Sequence, residues 1–309
     1  MRLPPLLLLP LLVPSSLASR SGAALRSGIA RFYDRSSPLW EAAWGDHCHH
    51  GHYPGGKPRS DHRQAQVDMI AELLSFCRLG EPPRAILDVG CGLGGSSRHL
   101  AREFPGSSAT GITLSPYQQA RATRLSAEAG LGERTTFLVA DALDSPFADG
   151  SFDLVWSLES GEHMPEKAKF VAELLRVCEP GGAVMLCTWC HRDVPGGGSL
   201  GRRERRVLDK ISRAFYLPDW CSGAHYEDLL TSSDQITPGS LRREDWSYVI
   251  APFWKAVIRS ALHPKNWLGL LRAGPSTIRG AWAMLLMLKG QRMGLIKFVV
   301  VTATKKSPP

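Results

Sequence analysis

The stretch AILDVGCGLGG, residues 85–95, places an apolar strand directly before a glycine-rich turn, and residues 96–104 continue as a predicted helix. Glycines let the backbone turn tightly and approach a ligand, and the free N–H groups at a helix N-terminus bind polar ligand groups. The unit therefore predicts a nucleotide-like ligand at the carboxyl end of the strand. The G-x-G pattern alone is compatible with a dinucleotide and with S-adenosylmethionine.

Asp88 distinguishes between these two candidate ligands. It stands two residues before Gly90, where a carboxylate attracts the cationic amino group of S-adenosylmethionine and repels a pyrophosphate. The G-x-G-x-G-G ending also departs from the dinucleotide pattern. We therefore predict S-adenosylmethionine as the cofactor, bound by the loop residues Asp88, Gly90, Cys91, Gly92 and Gly94.

The chain around this unit alternates between strands and helices. Apolar strands are predicted within residues 107–115, 135–141, 152–160 and 181–190, and helices within 63–79, 116–130 and 164–178. This alternation predicts a parallel sheet with helices on both faces. A last apolar run, FVVVTAT at 298–304, is expected at the far end of the same sheet. The predicted fold class is α/β, a Rossmann-like sheet with helical lid insertions.

Further cofactor contacts are expected where the other strands end, because ligands bind at the carboxyl edge of such sheets. Thr113 stands where an acid usually holds the ribose, and its hydroxyl together with the Gln118 amide could replace that acid. Asp141 is placed to accept from the adenine amino group, although an Asp there can also cap a turn. Ala142 and Ser157 complete the predicted set.

We divide the chain into a targeting segment, residues 1–27, and a methyltransferase domain, residues 28–309. The core of the domain is assigned to 84–191 plus 296–305, and a substrate lid to 28–80 and 193–293. The leader starts with a Leu-rich stretch typical of a secretory signal and continues as a Ser- and Arg-rich stretch, with no acid before Asp34. This order predicts a plastid (chloroplast) reached through a bipartite leader, and the secretory pathway is the alternative.

Charge is unevenly distributed along the chain. Residues 191–309 hold 19 Lys or Arg against 9 Asp or Glu, whereas residues 1–190 hold 18 against 20. The predicted helix RRERRVLDKISR, 202–213, is basic, and Val207, Leu208 and Ile211 could form an apolar side that enters an anionic membrane surface. A solvated basic helix is the alternative. The sequence contains no RNA-binding motif, so nucleic acid is not expected as a partner.

Several segments resemble the gamma-tocopherol methyltransferases, plastid enzymes of vitamin E synthesis. The resemblance is carried by DVGCGLGGSSRHLA (88–101), GITLSPYQQARA (111–122), SLESGEHMPEKAKF (157–170), YLPDWCS (216–222) and EDWSYVIAPFWKAVIRSA (244–261). It extends from about Gly28 to Lys305, includes the insertions as well as the core, and implies that the Rossmann-like sheet is that of a class I methyltransferase. The plant indole-alkaloid N-methyltransferases look like close relatives of this family. The short Leu-rich leader departs from the longer Ser-rich leader of plant members.

The resemblance implies methylation of a chromanol ring carbon, which converts γ- to α-tocopherol and δ- to β-tocopherol. An indole-alkaloid-like amine is the alternative substrate. Tocopherol is a lipophilic small molecule that resides in bilayers, and no apolar run approaches the ~18 residues of a spanning helix. Peripheral contact with an anionic membrane is therefore expected. The oligomeric state stays open.

A phenol ring carbon is a poor nucleophile until the phenol loses its proton, so a general base should face the substrate hydroxyl. His163 is the first candidate, because it follows the fourth strand and histidine titrates near neutral pH. A purely structural role for His163 stays open. The other candidates are Glu162, His191 and His50.

The segment WGDHCHHGHYPGG, 44–56, contains four histidines. Their spacing is too tight for one zinc site, and transfer of a methyl group from a sulfonium needs no metal, so no metal is predicted. We expect the segment to fold over the cofactor and to line the substrate pocket. Aromatic rings suit a flat substrate and a sulfonium, with core packing as the alternative. The predicted pocket residues are Trp40, Trp44, His49, Tyr53, Trp189, Trp220, Trp246, Phe253 and Trp254.

Overall fold

The structure is a computed structural model that describes residues 22–58, 61–262 and 275–307. Most of the predicted targeting segment, residues 1–21, lies outside these ranges, and residues 22–27 lie inside them. Within the described ranges, no helix has the length and apolar composition needed to cross a bilayer.

A seven-stranded sheet in the order β3-β2-β1-β4-β5-β7-β6 forms the centre of the fold. β1 to β5 pair in parallel, and β7 pairs antiparallel with both β5 and β6. The predicted α/β class and Rossmann-like sheet are confirmed. The strands are β1 (Ala85–Val89), β2 (Ser108–Thr113), β3 (Thr135–Val139), β4 (Phe152–Leu158), β5 (Cys178–His191), β6 (Arg242–Asp245) and β7 (Ile296–Thr304).

Strand β6 was missed from the sequence, and it corrects two expectations. β7 does not form the edge of the sheet, because β6 pairs with it on the outer side. Residues 193–293 also contribute this strand to the sheet, so they are not wholly a lid. The segment RRED lacks apolar alternation because an edge strand pairs on one side only and carries charged residues that discourage further pairing.

Nine described helices cover the sheet, and strand alternation decides what each face packs against. Ile86 and Leu154 pack with α2 and α6 on one face, whereas Leu87 and Val155 pack with α5 on the other. The helices are α1 (Gly22–Trp44), α2 (His62–Cys77), α3 (Gly95–Glu103), α4 (Pro116–Glu128), α5 (Lys167–Val177), α6 (Arg202–Phe215), α7 (Gly223–Ser232), α8 (Ser247–Leu262) and α9 (Pro275–Arg292).

Helix α1 corrects the predicted start of the folded chain. Residues 22–27, which we assigned to the targeting segment, form its first turns, and Leu25 and Ile29 are buried. Further along α1, Glu41 pairs with Arg121 of α4. Residues 22–27 therefore belong to the described fold.

Helix α6 corrects the expected membrane-facing side. Its apolar residues Val207, Leu208 and Ile211 are buried in the core, where α6 packs against α9. They therefore cannot enter a headgroup layer. The arginines of α6 at 202, 203, 205 and 206 are exposed.

Candidate functional site

Two cavities adjoin at the carboxyl edge of the parallel strands. The first, here the cofactor cavity, is bounded by the glycine turn after β1, the ends of β2 to β4, and α1. The second, here the aromatic cavity, is bounded by α1, the lid loop (residues 45–53) and residues of β5, α6, α8 and α9. The residues that line both cavities are Tyr33, Cys48, His49, Glu159 and His163.

The glycine turn brings backbone to the surface of the cofactor cavity. Gly90 has φ of +81° and Gly92 has φ of +54°, a region that residues with a Cβ rarely enter. A Cβ at Gly90 would lie 2.3 Å from Cβ of Ser160. The turn therefore requires glycine at Gly90 for conformation and for space.

Asp88 lines the cofactor cavity and is buried. Its Oδ2 accepts a 2.6 Å hydrogen bond from the Ser97 hydroxyl of α3. Burial raises the pKa of Asp88 to about 6, although the Ser97 hydrogen bond opposes the shift. A buried carboxylate of this kind is stabilised by a cationic ligand group.

The structure also places Cys91, Thr113, Gln118, Asp141 and Ala142 on the wall of this cavity. Thr113 donates to Oε1 of Gln118 at 2.7 Å, and the Gln118 amide donates to Ser37 of α1 at 3.0 Å. Thr113 or Gln118 could therefore bond to a ribose only by giving up its present hydrogen bond.

Gly94 and Ser157 lie behind this wall, which corrects their predicted cofactor contact. Gly94 has φ of +73° at the start of α3, and a Cβ there would meet the Phe137 ring at 2.6 Å. Its role is packing. The Ser157 hydroxyl is fully buried, 2.7 Å from that of Ser160, and it is Ser160 that reaches the cavity.

Most of the predicted pocket residues meet in the aromatic cavity. The structure places there Trp40, Trp44, His49, Trp189, Trp220, Phe253 and Trp254. Phe32, Phe215, Leu217, Met284 and Met287 extend the apolar wall. The arrangement accepts a flat apolar ligand.

Tyr53 and Trp246 are core residues, which corrects their predicted place in the pocket. The Tyr53 hydroxyl lies 2.7 Å from Nδ1 of His62, and its side chain is fully buried. Trp246 donates to Glu244 at 2.9 Å and packs edge-on against Phe76. At both positions the aromatic side chain packs in the core and does not line the pocket.

His163 lies at the boundary between the two cavities. Its Nε2 is 2.8 Å from the hydroxyl of Tyr33, and its Nδ1 is buried without a hydrogen-bond partner. Burial, reinforced by the charge of Lys167, lowers the pKa of His163 to about 3. A group with so low a pKa is a weak proton acceptor.

Two buried carboxylates follow β4 and differ in protonation. Burial raises the pKa of Glu162 to about 7, reinforced by the negative charge of Glu159, while Thr188 donates to its Oε2 at 2.7 Å. Burial alone would raise the pKa of Glu159 too, but hydrogen bonds from His50, and the positive charge of that ring whenever it is protonated, lower it. Glu159 is therefore the ionised member at neutral pH.

His191 lines neither cavity, so its predicted catalytic role is withdrawn. It ends β5, and its Nδ1 lies 2.7 Å from the backbone oxygen of Arg192.

The lid loop is fastened to the cofactor turn and to α2. The carboxylate of Asp46 pairs with Arg98, a buried residue of α3 that also donates to the Leu93 oxygen at 2.7 Å. The Gln66 amide donates to the backbone oxygens of His47 and His49. These contacts hold His49 and His50 beside the ligand space. Among the described residues, no three potential metal ligands come together.

Comparison with known proteins agrees with this geometry. Residues 87–186 match the methyltransferase domain family. The chain is 50% identical over 298 residues to the tocopherol O-methyltransferase, chloroplastic, of Arabidopsis thaliana. The aligned region covers 93% of this chain and 84% of the relative. The chain is 34% identical to the norajmaline N-methyltransferase of Rauvolfia serpentina, over 92% of this chain and 99% of the relative.

The chain belongs to the tocopherol methyltransferase family.

A solved structure supports the fold of this family member. The geranyl diphosphate C-methyltransferase from Streptomyces coelicolor superimposes with a TM-score of 0.72 at 20% identity, covering 93% of this chain and 99% of the other. At this identity the likeness concerns the fold alone.

Several residues at the family site were missed from sequence. Leu25 and Arg26 line the cofactor cavity, and Tyr33 lines both cavities. They share no motif with the glycine turn and reach it only because α1 folds back over the sheet edge. The position of Glu159 at this edge, by contrast, follows from the sequence, because Glu159 comes directly after the predicted fourth strand and precedes Glu162 and His163; its pairing with His50 does not.

Proposed function

We propose that this chain transfers a methyl group from S-adenosylmethionine to a ring carbon of γ-tocopherol, giving α-tocopherol, and of δ-tocopherol, giving β-tocopherol. One observation carries the proposal: a cavity at the glycine turn, with the buried carboxylate of Asp88 in its wall, adjoins an aromatic cavity, and the two share a boundary of five residues. Methyl transfer needs two ligands to be held in contact and in line.

The residues of the cofactor cavity fit S-adenosylmethionine. Asp88 offers a buried carboxylate to the methionine amino group, and the positive-φ glycines let the backbone approach the ligand. Asp141, whose side chain lies 3.3 Å from Arg26, remains our candidate for the adenine end. When bound there, S-adenosylmethionine would supply an electrophilic methyl group, and S-adenosylhomocysteine would be the leaving group.

The aromatic cavity fits a chromanol. Trp40, Trp189 and Trp254 offer flat apolar surface, while Met284 and Met287 can adapt to an isoprenoid tail. Ring methylation requires that the phenol proton be removed, and both His50 and His163 border this space.

The site of methylation is the part of the proposal that experiment has to decide. The Arabidopsis relative is named an O-methyltransferase and the Rauvolfia relative an N-methyltransferase. Transfer to oxygen would consume the phenol, whereas transfer to carbon regenerates it. Buried carboxylates and histidines around an aromatic cavity would also accept an amine, so an indole-alkaloid-like amine is the second candidate.

A competition assay tests the proposal. The full chain is incubated with labelled S-adenosylmethionine and equal amounts of γ-tocopherol and an indole-alkaloid amine. Label in a tocopherol with a free phenol supports the proposal. Label in the amine, or in a methyl ether, overturns it.

We also propose that the enzyme works in a plastid and meets its substrate at an anionic membrane surface. The relative from Arabidopsis is named chloroplastic, and a bipartite leader ending before α1 fits that destination. The arginines of α6 are exposed, and α9, which packs against α6, exposes Trp282 and Leu285 by 49% and 53%. Lys210 of α6 lies 5.8 Å from the centre of the Trp282 ring. Cations with interfacial aromatic residues suit an anionic headgroup layer.

The domain division follows from this proposal. Residues 84–191 would supply most of the cofactor cavity and 296–305 would complete the sheet, while α1 would border both cavities and the lid loop, α8 and α9 would enclose the substrate. α9 both lines the aromatic cavity, through Met284 and Met287, and carries the exposed Trp282. A tail entering from the membrane would pass this helix.

A further inference from the structure

The carboxylate of Glu159 is held by three N–H donors. The backbone N–H of His50 donates to its Oε1 at 2.5 Å, Nδ1 of His50 lies 2.8 Å from its Oε2, and the indole N–H of Trp189 donates to Oε2 at 3.1 Å. Its side chain is 9% exposed. Because an ionised carboxylate only accepts, the proton of the neutral His50 ring must reside on Nδ1.

The opposite ring nitrogen of His50 is left without a partner. Nε2 is buried and makes no hydrogen bond, and the ring lies among Trp189, Phe253 and Trp254 with centroid separations of 5.0, 4.6 and 4.8 Å. His50 lines the aromatic cavity. A buried acceptor beside apolar rings is costly unless a ligand supplies a donor.

The backbone at Glu159 supports a functional reading of this pair. Glu159 has φ of +54°, a conformation that non-glycine residues adopt rarely and at a cost. Its N–H nevertheless donates to the Cys187 oxygen at 2.7 Å, which fixes the residue against β5. The strained turn aims the carboxylate at His50 instead of continuing along β4.

We infer that His50 and Glu159 form a dyad in which Nε2 of His50 takes the proton of the substrate hydroxyl and Glu159 positions and stabilises the resulting imidazolium. The inference rests on the proposed function, because it requires a phenolic substrate in the aromatic cavity. It moves the first choice of base from His163, favoured by the sequence, to a residue of the lid loop.

The O–H bond of the phenol breaks, its electron pair stays on oxygen, and the proton bonds to Nε2 of His50. After the ring carbon has gained its methyl group, that carbon loses its hydrogen as a proton to water. His50 then returns its proton to the phenol oxygen, so one proton is released for each turnover.

The structure favours His50 over His163 as this base. Nε2 of His163 already lies against the Tyr33 hydroxyl, and Lys167 opposes a positive charge on its ring. His50 instead has a carboxylate behind it, the arrangement that stabilises an imidazolium in catalytic triads. The titratable groups that line the aromatic cavity together with His50 and Glu159 are Tyr33, His47, Cys48, His49, Glu162 and His163.

The test uses His50→Asn, which keeps an N–H donor near the position of Nδ1 but has no second nitrogen. Glu159→Gln keeps the size of the carboxylate and removes its charge. His225→Gln, at an exposed histidine of α7, is the matched control. The full chain of each variant is assayed by single turnover on a tail-less γ-chromanol between pH 6 and 10. Cofactor affinity and thermal unfolding are measured on the same samples.

At pH 7 we expect His50→Asn to slow turnover by about 10²-fold, the usual loss for a general base, and Glu159→Gln by at least about tenfold. The rate of His50→Asn should then rise with pH until the chromanol, a phenol with a pKa near 10, ionises unaided. A second readout is the phenolate absorbance of the chromanol bound with S-adenosylhomocysteine, which should be present in the unmodified chain and absent in His50→Asn.

Loss of folding would appear as lost cofactor affinity and is thereby separated from loss of the base. A His50→Asn variant that binds the cofactor, shows the phenolate band and keeps the pH profile of the unmodified chain would overturn the dyad. If the unmodified chain itself fails to methylate the chromanol, it is the proposed function that falls.

Discussion

The hydroxyl of Tyr33 lies 2.8 Å from Nε2 of His163, and this contact joins α1 to the turn after β4 at the boundary of the two cavities. Burial, together with the charge of Glu162, raises the pKa of Tyr33 well above its usual value, so the tyrosine stays protonated. It therefore donates to His163, whose remaining hydrogen has to reside on Nδ1.

Removing this hydroxyl should destabilise the protein. Tyr33→Phe leaves the buried Nε2 of His163 without a partner, which costs about 1–3 kcal/mol. The free energy of unfolding, measured in urea, checks the value. Tyr117→Phe is the control, because Tyr117 is 36% exposed on α4. Equal losses in the two variants would mean that the contact with His163 contributes nothing.

Cofactor affinity should depend on pH through Asp88. The folded pKa is raised to about 6, so the carboxylate is ionised above that pH and neutral below it. A cationic ligand favours the ionised form, and the affinity for S-adenosylmethionine should therefore fall by up to about tenfold per unit below pH 6. Calorimetry between pH 5 and 8 measures it.

Asp88→Asn supplies the control for that pH dependence. The variant should bind the cofactor more weakly at pH 8 by about 1.5–3 kcal/mol and show a flat profile below pH 6. In the absence of cofactor, the effect of the substitution on protein stability is the opposite of its effect on cofactor affinity. A raised acid pKa penalises the folded state above pH 6, so Asn should raise the melting temperature at pH 8. Unchanged cofactor affinity would contradict the assignment of Asp88.

The ion pair between Glu41 and Arg121 should hold α1 closed over the cofactor cavity. Nε of Arg121 lies 2.9 and 3.0 Å from the two carboxylate oxygens of Glu41, and both side chains are largely buried. Glu41→Ala should speed cofactor release and increase hydrogen exchange in α1, because it removes a contact that holds α1 against α4. A second contact stays in place, since Asp34 of α1 accepts a hydrogen bond from the hydroxyl of Ser115, the residue before α4.

Glu128→Ala is the matched control for α1. Glu128 lies 3.9 Å from the same Arg121 but is 58% exposed, and exposed pairs contribute little. Cofactor release measured by stopped flow should be unchanged in this variant. Equal acceleration by both changes would show that the effect concerns the charge of Arg121 and not the closure of α1.

Changing Arg202, Arg203, Arg205 and Arg206 to Gln should weaken binding to anionic vesicles. Each cation near such a surface contributes about 1 kcal/mol, and sedimentation with vesicles measures the loss. Methylation of tocopherol in vesicles should slow, while activity on a tail-less chromanol in solution is spared. Equal losses on both substrates would assign these arginines to folding.

The strands of the parallel sheet were predictable from the sequence because each apolar run is followed or preceded by a turn signal. Residues 88–92 are an example, since β1 ends at Val89 and the glycine turn begins at Gly90. The sequence placed Glu162, His163 and the glycine turn at one edge for the same reason. It could not pair His50 with Glu159, because the two are 109 positions apart and depend on how the lid loop returns to the sheet. The apolar side of α6 was misjudged because amphipathicity alone does not tell a core from a membrane.

The central claim is tested most directly by the position of the transferred methyl group. γ-Tocopherol is incubated with the full chain and S-adenosylmethionine carrying a ¹³C-methyl group, and the product is examined by NMR. The account predicts that the label resides on an aromatic ring carbon, with the phenolic hydroxyl retained and α-tocopherol as the product. Label on the phenol oxygen, or no transfer to γ-tocopherol by a folded chain that binds the cofactor, would contradict it.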